Sequence, residues 1–226
     1  MLVKYHITTF VAAHTSIPVP NIHAVVTDTS DPTSPVTCIV QDKVRGISLY
    51  DALPSLAGDV RDTITGHLSK ILDELSTLDN ARIQINPYDG SFTGGIFRVM
   101  KGPCVAKNTA DFFKFFLDKG RRGFTPDEEQ QWLSAFDMNW PHIFAHGDLI
   151  PENVFVDPQT GAVTGIIDWE LAGWVPYFWN DYILRRAWWE VKEWYMMVDQ
   201  LLPGGSPAAS ATTAFWAIWS RAEIFS

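Results

Sequence analysis

The stretch FAHGDLIPENVFVDPQTGAVTGIIDWE, residues 144–170, constrains the shape of this chain more than any other. Two short runs of β-branched and apolar residues, NVFV at 153–156 and TGII at 164–167, flank a cluster of turn formers, DPQTG, at 157–161. That pattern predicts a β-hairpin. A hairpin brings its outer ends together, so Asn153 at the start of the first strand and Asp168 just past the second are expected side by side. Asp148 falls in the preceding loop, between Gly147 and Pro151, and the proline stiffens that turn. A single Asp or Asn in a loop is usually a turn or cap residue. Three of them gathered at one end of a hairpin ask for a joint explanation.

Moving a phosphoryl group supplies one. It needs a carboxylate to orient the acceptor hydroxyl and further oxygen donors to hold Mg²⁺ on the nucleotide phosphates. Asp148, Asn153 and Asp168 are candidates for those three roles. The spacing His-x-Asp, Asn five positions after the Asp, then a hairpin and an Asp followed by an aromatic, follows the catalytic loop and metal-binding motif of kinases. Gly147 stands where protein kinases carry Arg, and Trp169 and Glu170 stand in place of Phe and Gly. Those departures argue against a protein kinase regulated through its activation loop.

HGDLIPEN followed by IIDWE resembles the aminoglycoside phosphotransferase and choline kinase-like family, and AGWVPYFWNDY at 172–182 is similar to its fungal branch. The resemblance implies an α+β, protein kinase-like two-lobe fold with a reduced N-terminal sheet lobe and a mainly helical C-terminal lobe. It implies transfer of the ATP γ-phosphate to a small-molecule hydroxyl, with ATP and Mg²⁺ as cofactors. Asp148 becomes the catalytic base, Asn153 and Asp168 the Mg²⁺ ligands, and His146 a structural brace for the loop. Upstream, TSIPVP at 15–20 is similar to the family's stretch between the first helix and the small lobe's fourth strand. NIHAVVTD at 21–28 and PVTCIVQDKVRG at 35–46 read as strands with a loop between them. QDKVRG is then the hinge, with adenine held by backbone groups near Gln41, Asp42, Lys43 and Val44. The chain reads as a single domain over 1–226, with 1–46 as residual small lobe and hinge and 47–226 as the large lobe.

A complete small lobe also needs a glycine-rich hairpin over the phosphates, a strand lysine, and a helix glutamate paired with that lysine. The first glycine here is Gly46 and the first acidic residue is Asp28. By resemblance, Lys4 in LVKY stands where the strand lysine stands, as a nucleotide phosphate ligand. A shortened small lobe is therefore expected, from a shortened gene product or from a protein that has lost nucleotide chemistry. Reduced turnover follows from the first. A pseudokinase-type binding module, or an interaction subunit that self-associates through an exposed sheet edge, follows from the second.

The net charge of −9 disfavours a nucleic-acid partner and suits a cationic acceptor; the resemblance implies an amino alcohol or an aminoglycoside-like compound. Cys38 and Cys104 form no metal-type pair, no secretory pattern opens the chain, and no apolar run reaches the roughly 20 residues of a membrane span. A reduced, cytoplasmic protein without membrane attachment is expected. His142 and His146 are four apart, but Ile143 stands where a helical zinc pair needs its Glu.

Val60, Ile64, Leu68, Ile71, Leu72, Leu75 and Leu78 recur at helical spacing and predict one long amphipathic helix beneath the catalytic loop. Thr125, Pro126 and Glu128 form a capping box that opens a helix through about Phe136. Residues 86–104, rich in Gly and Pro, read as a substrate-side loop or a connector. Eight of the ten tryptophans follow residue 168. Helices over 180–202 and 206–225 are predicted to pack most of them into a core, and a cage for an amine, completed by Glu190 or Glu193, is the sharper alternative.

Overall fold

The long apolar repeat lies in a helix, Gly58–Ser76, that buries Ile64, Leu68, Ile71 and Leu75 on one face. Each such side chain contributes about 1.5–3 kcal/mol when taken from water, so this stripe anchors whatever rests on it. The computed structural model describes residues 2–31, 36–78, 83–84, 105–106, 108–120, 125–186, 191–202 and 211–215. In chain order these give α1 (Leu2–His14), β1 (Ile22–Asp28), β2 (Val36–Gln41), β3 (Ile47–Ser48), α2 (Leu49–Ala52) and the long helix α3. Then follow β4 (Ile83–Gln84), β5 (Val105–Ala106), α4 (Thr109–Gly120), α5 (Pro126–Leu133), β6 (His142–Ala145), β7 (Val154–Val156), β8 (Val163–Ile166), β9 (Gly173–Pro176), α6 (Phe178–Arg186) and α7 (Lys192–Leu201).

Three antiparallel sheets organise these elements. β1 and β2 form a two-stranded ribbon, β3-β7-β8 a three-stranded sheet, and β5-β4-β9-β6 a four-stranded one. β6 therefore carries the chain from one sheet straight into the loop that begins the other. Two cores support them. One is mainly aliphatic and joins α1 (Ile7, Val11) to α3 (Leu68, Leu75), β7 (Val154, Val156) and Trp169. The other is aromatic and gathers Phe112, Phe113, Phe136, Phe178, Trp179, Tyr182 and Phe215.

The local expectations divide instructively. The 154–166 hairpin forms, and its turn is closed by the Asp157 carboxylate, which accepts from the N–H groups of Gln159 (2.8 Å) and Thr160 (3.3 Å). The capping box at Thr125 forms reciprocally: Glu128 accepts from the Thr125 N–H at 2.9 Å and donates its own N–H to the Thr125 hydroxyl at 3.3 Å. Its helix ends at Leu133 rather than Phe136, because Phe136 turns inward to pack on Phe113 with ring centroids 3.8 Å apart. The helix predicted over 180–202 is described as two, α6 and α7. Trp169, Trp174, Trp179 and Trp194 are all buried, which is the core-packing outcome for those four rings. The other late tryptophans, Glu190, Cys104 and the Gly-rich stretch at 86–104 lie outside the described residues or their described side chains.

Candidate active site

The loop between β6 and β7 is built around a buried, neutral histidine. Nε2–H of His146 donates to the Ile167 carbonyl at 2.9 Å, and its Nδ1 accepts from the Asp148 N–H at 3.2 Å. Both ring nitrogens are thus used by one neutral tautomer. Burial drives its pKa down to about 4, since a charge there would lose water and face an N–H with a second proton. The ring also lies against Trp169, centroids 4.4 Å apart. His146 thereby joins the Asp148 loop to the end of β8.

Gly147 beside it has φ +81, and a Cβ there would collide with the Leu171 carbonyl. This is the physical reason that no side chain stands at the position where protein kinases carry Arg. Asp168 is the one non-glycine residue with positive φ among those described (φ 68, ψ 49). Asp tolerates the left-handed region better than most residues, yet such a conformation costs on the order of 1–3 kcal/mol and is held only by its surroundings. Those surroundings are the buried Trp169, whose indole N–H donates to the Ile166 carbonyl at 3.0 Å, and the Ile167 N–H, which donates to the Asn153 carbonyl at 3.0 Å.

Asn153, Asp148 and Asp168 therefore meet at the mouth of the hairpin. The amide nitrogen of Asn153 donates to the Asp148 carbonyl (2.8 Å) and more weakly to Asp148 Oδ2 (3.3 Å). Sequence reasoning missed two further carboxylates beside them. Glu152 has one buried carboxylate oxygen with no protein partner, and its pKa is raised by burial and then by the charges of Asp148 and Asp51. Glu152 lies inside the HGDLIPEN motif, so the signal was present. Asp51, capped onto Ser48 at the start of α2, carried none.

Lys4 is placed differently from expectation. It lies in the first turn of α1, not on a strand, and its ammonium contacts Asp168 Oδ1 at 2.8 Å. The segment LVKY is helical because Ile7 and Val11 continue its apolar face into the core. The hinge residues Gln41, Asp42, Lys43 and Val44 close the ribbon and leave it. The Asp42 N–H already donates to the Asn21 carbonyl (2.9 Å), and its carboxylate accepts from Asn21 (2.7 Å) and bonds His23 (2.6 Å). Val44 lies over Gly165, where a Cβ would strike its side chain. Lys43 is exposed.

Asp168 and Asn153 offer oxygen donors, the kind Mg²⁺ prefers. No group of three His, Cys, Asp or Glu side chains suited to a metal occurs among the described residues, and His142 and His146 belong to a strand and the loop after it. Two oxygen-bearing side chains alone could hold only an ion that takes its remaining ligands from phosphates and water. The ammonium of Lys4 on Asp168 marks the same point as one where a cation is stabilised.

Residues 5–209 match the sequence model of a family described as phosphotransferase enzymes. An aminoglycoside 3'-phosphotransferase of Streptomyces fradiae is 43% identical over 56 residues, which cover 23% of this chain and 20% of that relative. The match thus spans about a fifth of the curated relative's length. Among solved structures, the GDP complex of aminoglycoside 2'-phosphotransferase-IIIa aligns with TM-score 0.64 at 13% identity, over 96% of this chain and 72% of that one. The apo form of a thermostable mutant of aminoglycoside phosphotransferase APH(4)-Ia aligns with TM-score 0.63 at 15% identity, over 98% and 82%. At such identities the likeness shows the fold, which is α+β and protein kinase-like.

Proposed function

We propose, since this chain belongs to the phosphotransferase enzyme family, that its site transfers the γ-phosphate of ATP to a hydroxyl of a small cationic acceptor. The observation that carries the reading is the convergence of Asp148, Asn153 and Asp168 on one hairpin mouth. Asp148 takes the catalytic-base role: it orients the acceptor hydroxyl and receives its proton as the new oxygen–phosphorus bond forms and the bond to the ADP leaving group breaks. Asn153 and Asp168 hold Mg²⁺, which when bound neutralises charge on the phosphates. His146 keeps the Asp148 loop on the end of β8 without carrying charge itself. Glu152 and Asp51 add negative potential beside Asp148, which favours an acceptor bearing ammonium groups.

Relatives of the same fold support a purine nucleotide, adenine in one and guanine in the other, and the acceptor class. APH(4)-Ia is described in a ternary complex with AMP-PNP and hygromycin B, and an aminoglycoside 2''-phosphotransferase in one with GDP and kanamycin. Backbone groups around Gln41, Lys43 and Val44 take the adenine, residues 1–46 act as small lobe and hinge, and residues 47–226 as the large lobe. No described helix is long and apolar enough to cross a membrane, and a cytoplasmic location fits that. A non-catalytic binding module is the second reading, favoured by the ion pair that Lys4 makes with Asp168.

The test is calorimetric titration with Mg-ATP, then turnover with a panel of aminoglycosides and amino alcohols. Asp148→Asn is expected to keep nucleotide affinity and lose on the order of 10²–10⁴ in rate. Asp168→Asn is expected to lose the metal-dependent part of binding. Nucleotide bound by wild type no more tightly than by Asp168→Asn, with no transfer to any acceptor, would overturn the assignment.

A further inference from the structure

We infer that Lys4 is a tethered cation occupying the metal position on Asp168, and that a divalent ion binds there only by displacing it. The inference rests on the reading of Asp168 as a metal ligand. Lys4 is not a frayed terminal lysine. Ile7, Thr8 and Val11 are buried at 0%, 3% and 0% exposure, and Lys4 stands one turn before Ile7 on the same helical stripe. Helix α1 packs directly on the turn 169–171 that follows Asp168, so the core delivers the lysine stem to this carboxylate. The ammonium ends 2.8 Å from Oδ1. Helix α1 carries no acidic residue of its own to compete for that charge.

Geometry sets the conflict. A Mg²⁺ ligand oxygen sits about 2.0–2.1 Å from the ion, and an ammonium proton directed at the same oxygen occupies that approach. Like charge adds to the exclusion, because a monovalent and a divalent cation a few ångströms apart repel appreciably even in a high dielectric. Once displaced, the ammonium remains anchored by Ile7 and Val11 near the phosphate side of the site. There the phosphates of a bound nucleotide would give it a new anionic partner. Metal and nucleotide should therefore bind cooperatively, each weak alone, with Lys4 as the coupling group.

The experiment measures Mn²⁺ affinity by electron paramagnetic resonance, with and without a non-hydrolysable ATP analogue, on wild type, Lys4→Gln, Lys4→Arg and Asp168→Asn. Lys4→Gln should tighten nucleotide-free Mn²⁺ binding on the order of tenfold and shrink the gain from the analogue, whereas Lys4→Arg should retain weak binding. Thermal unfolding in chelator should fall for Lys4→Gln and recover with Mn²⁺. If Lys4→Gln binds nucleotide-free Mn²⁺ no more tightly than wild type while Asp168→Asn abolishes binding, the metal reading stands and the tethered-cation inference fails. If Asp168→Asn binds Mn²⁺ like wild type, the metal reading fails and the inference falls with it.

Discussion

The loop and hairpin of residues 142–171 and the ribbon β1–β2 are held in opposite ways. In the first, His146 uses both ring nitrogens, Asn153 ties the Asp148 loop to itself, and Val154, Val156, Ile166 and Trp169 are buried. In the second, Val26, Val36 and Val40 are 55%, 56% and 49% exposed, and the side-chain bonds from Asp42 to Asn21 and His23 lie in water. A two-stranded ribbon alone is marginally stable. The floor of the site is thus specified by packing, while the ribbon, proposed above as the nucleotide side, rests on half-exposed contacts.

The sharpest way to break this contrast is Gly147→Ala. Its methyl would meet the Leu171 carbonyl at a positive φ, so the loop or the turn after Asp168 must shift. A loss of roughly 3–5 kcal/mol in urea unfolding is expected, among the largest for a single methyl. A loss under about 1 kcal/mol would show that the loop is softer than its contacts imply.

His146 gives the next largest effect, and its sign follows from its lowered pKa. The unfolded histidine titrates near 6.5 and the folded one at about 4, so between those values the unfolded chain binds more protons. The stability associated with neutral, buried His146 is full above about pH 6.5 and is lost as pH falls toward 4, amounting to about 3 kcal/mol. Urea midpoints measured from pH 7 to 4 should show this slope in wild type and a flatter one in His146→Gln.

What the sequence made legible follows the same division. The hairpin, the capping box and the α3 stripe were readable because each is a local pattern of turn formers, caps or apolar spacing whose partner lies within a few residues. Lys4 was not, since its helical state depends on Ile7 and Val11 finding a core built from α3 and β7. Nor was the pairing with Asp168, which joins residues 164 positions apart. Glu152 lay within the motif, but its buried oxygen becomes visible only once Asp51 and Asp148 are placed around it. The hinge is proposed from order along the chain alone, whereas the use of the Asp42 N–H by the Asn21 carbonyl required the register of the ribbon.

A smaller effect tests the hold on Asp168. Trp169→Phe keeps most of the buried ring but removes the indole N–H, leaving the Ile166 carbonyl without that donor. A cost of about 1–3 kcal/mol is expected. Nucleotide affinity should fall further than this global loss explains, because the freed turn lets Asp168 leave its left-handed conformation. Equal stability losses with unchanged affinity would separate Trp169 from the site.

The smallest effect is expected in the ribbon, and there smallness is the point. Val26→Thr and Val40→Thr keep β-branching on an exposed face, so stability should change by no more than about 0.5 kcal/mol. Native-state hydrogen exchange makes the comparison direct. Amides of β1 and β2 should exchange through local opening well below the global unfolding free energy, while those of β7 and β8 exchange near it. Nucleotide that bridges hinge and floor should slow the ribbon selectively. Ribbon amides already as protected as β7 without nucleotide would mean that the exposed valines and bonds understate its packing, and that both sides of the site are equally rigid.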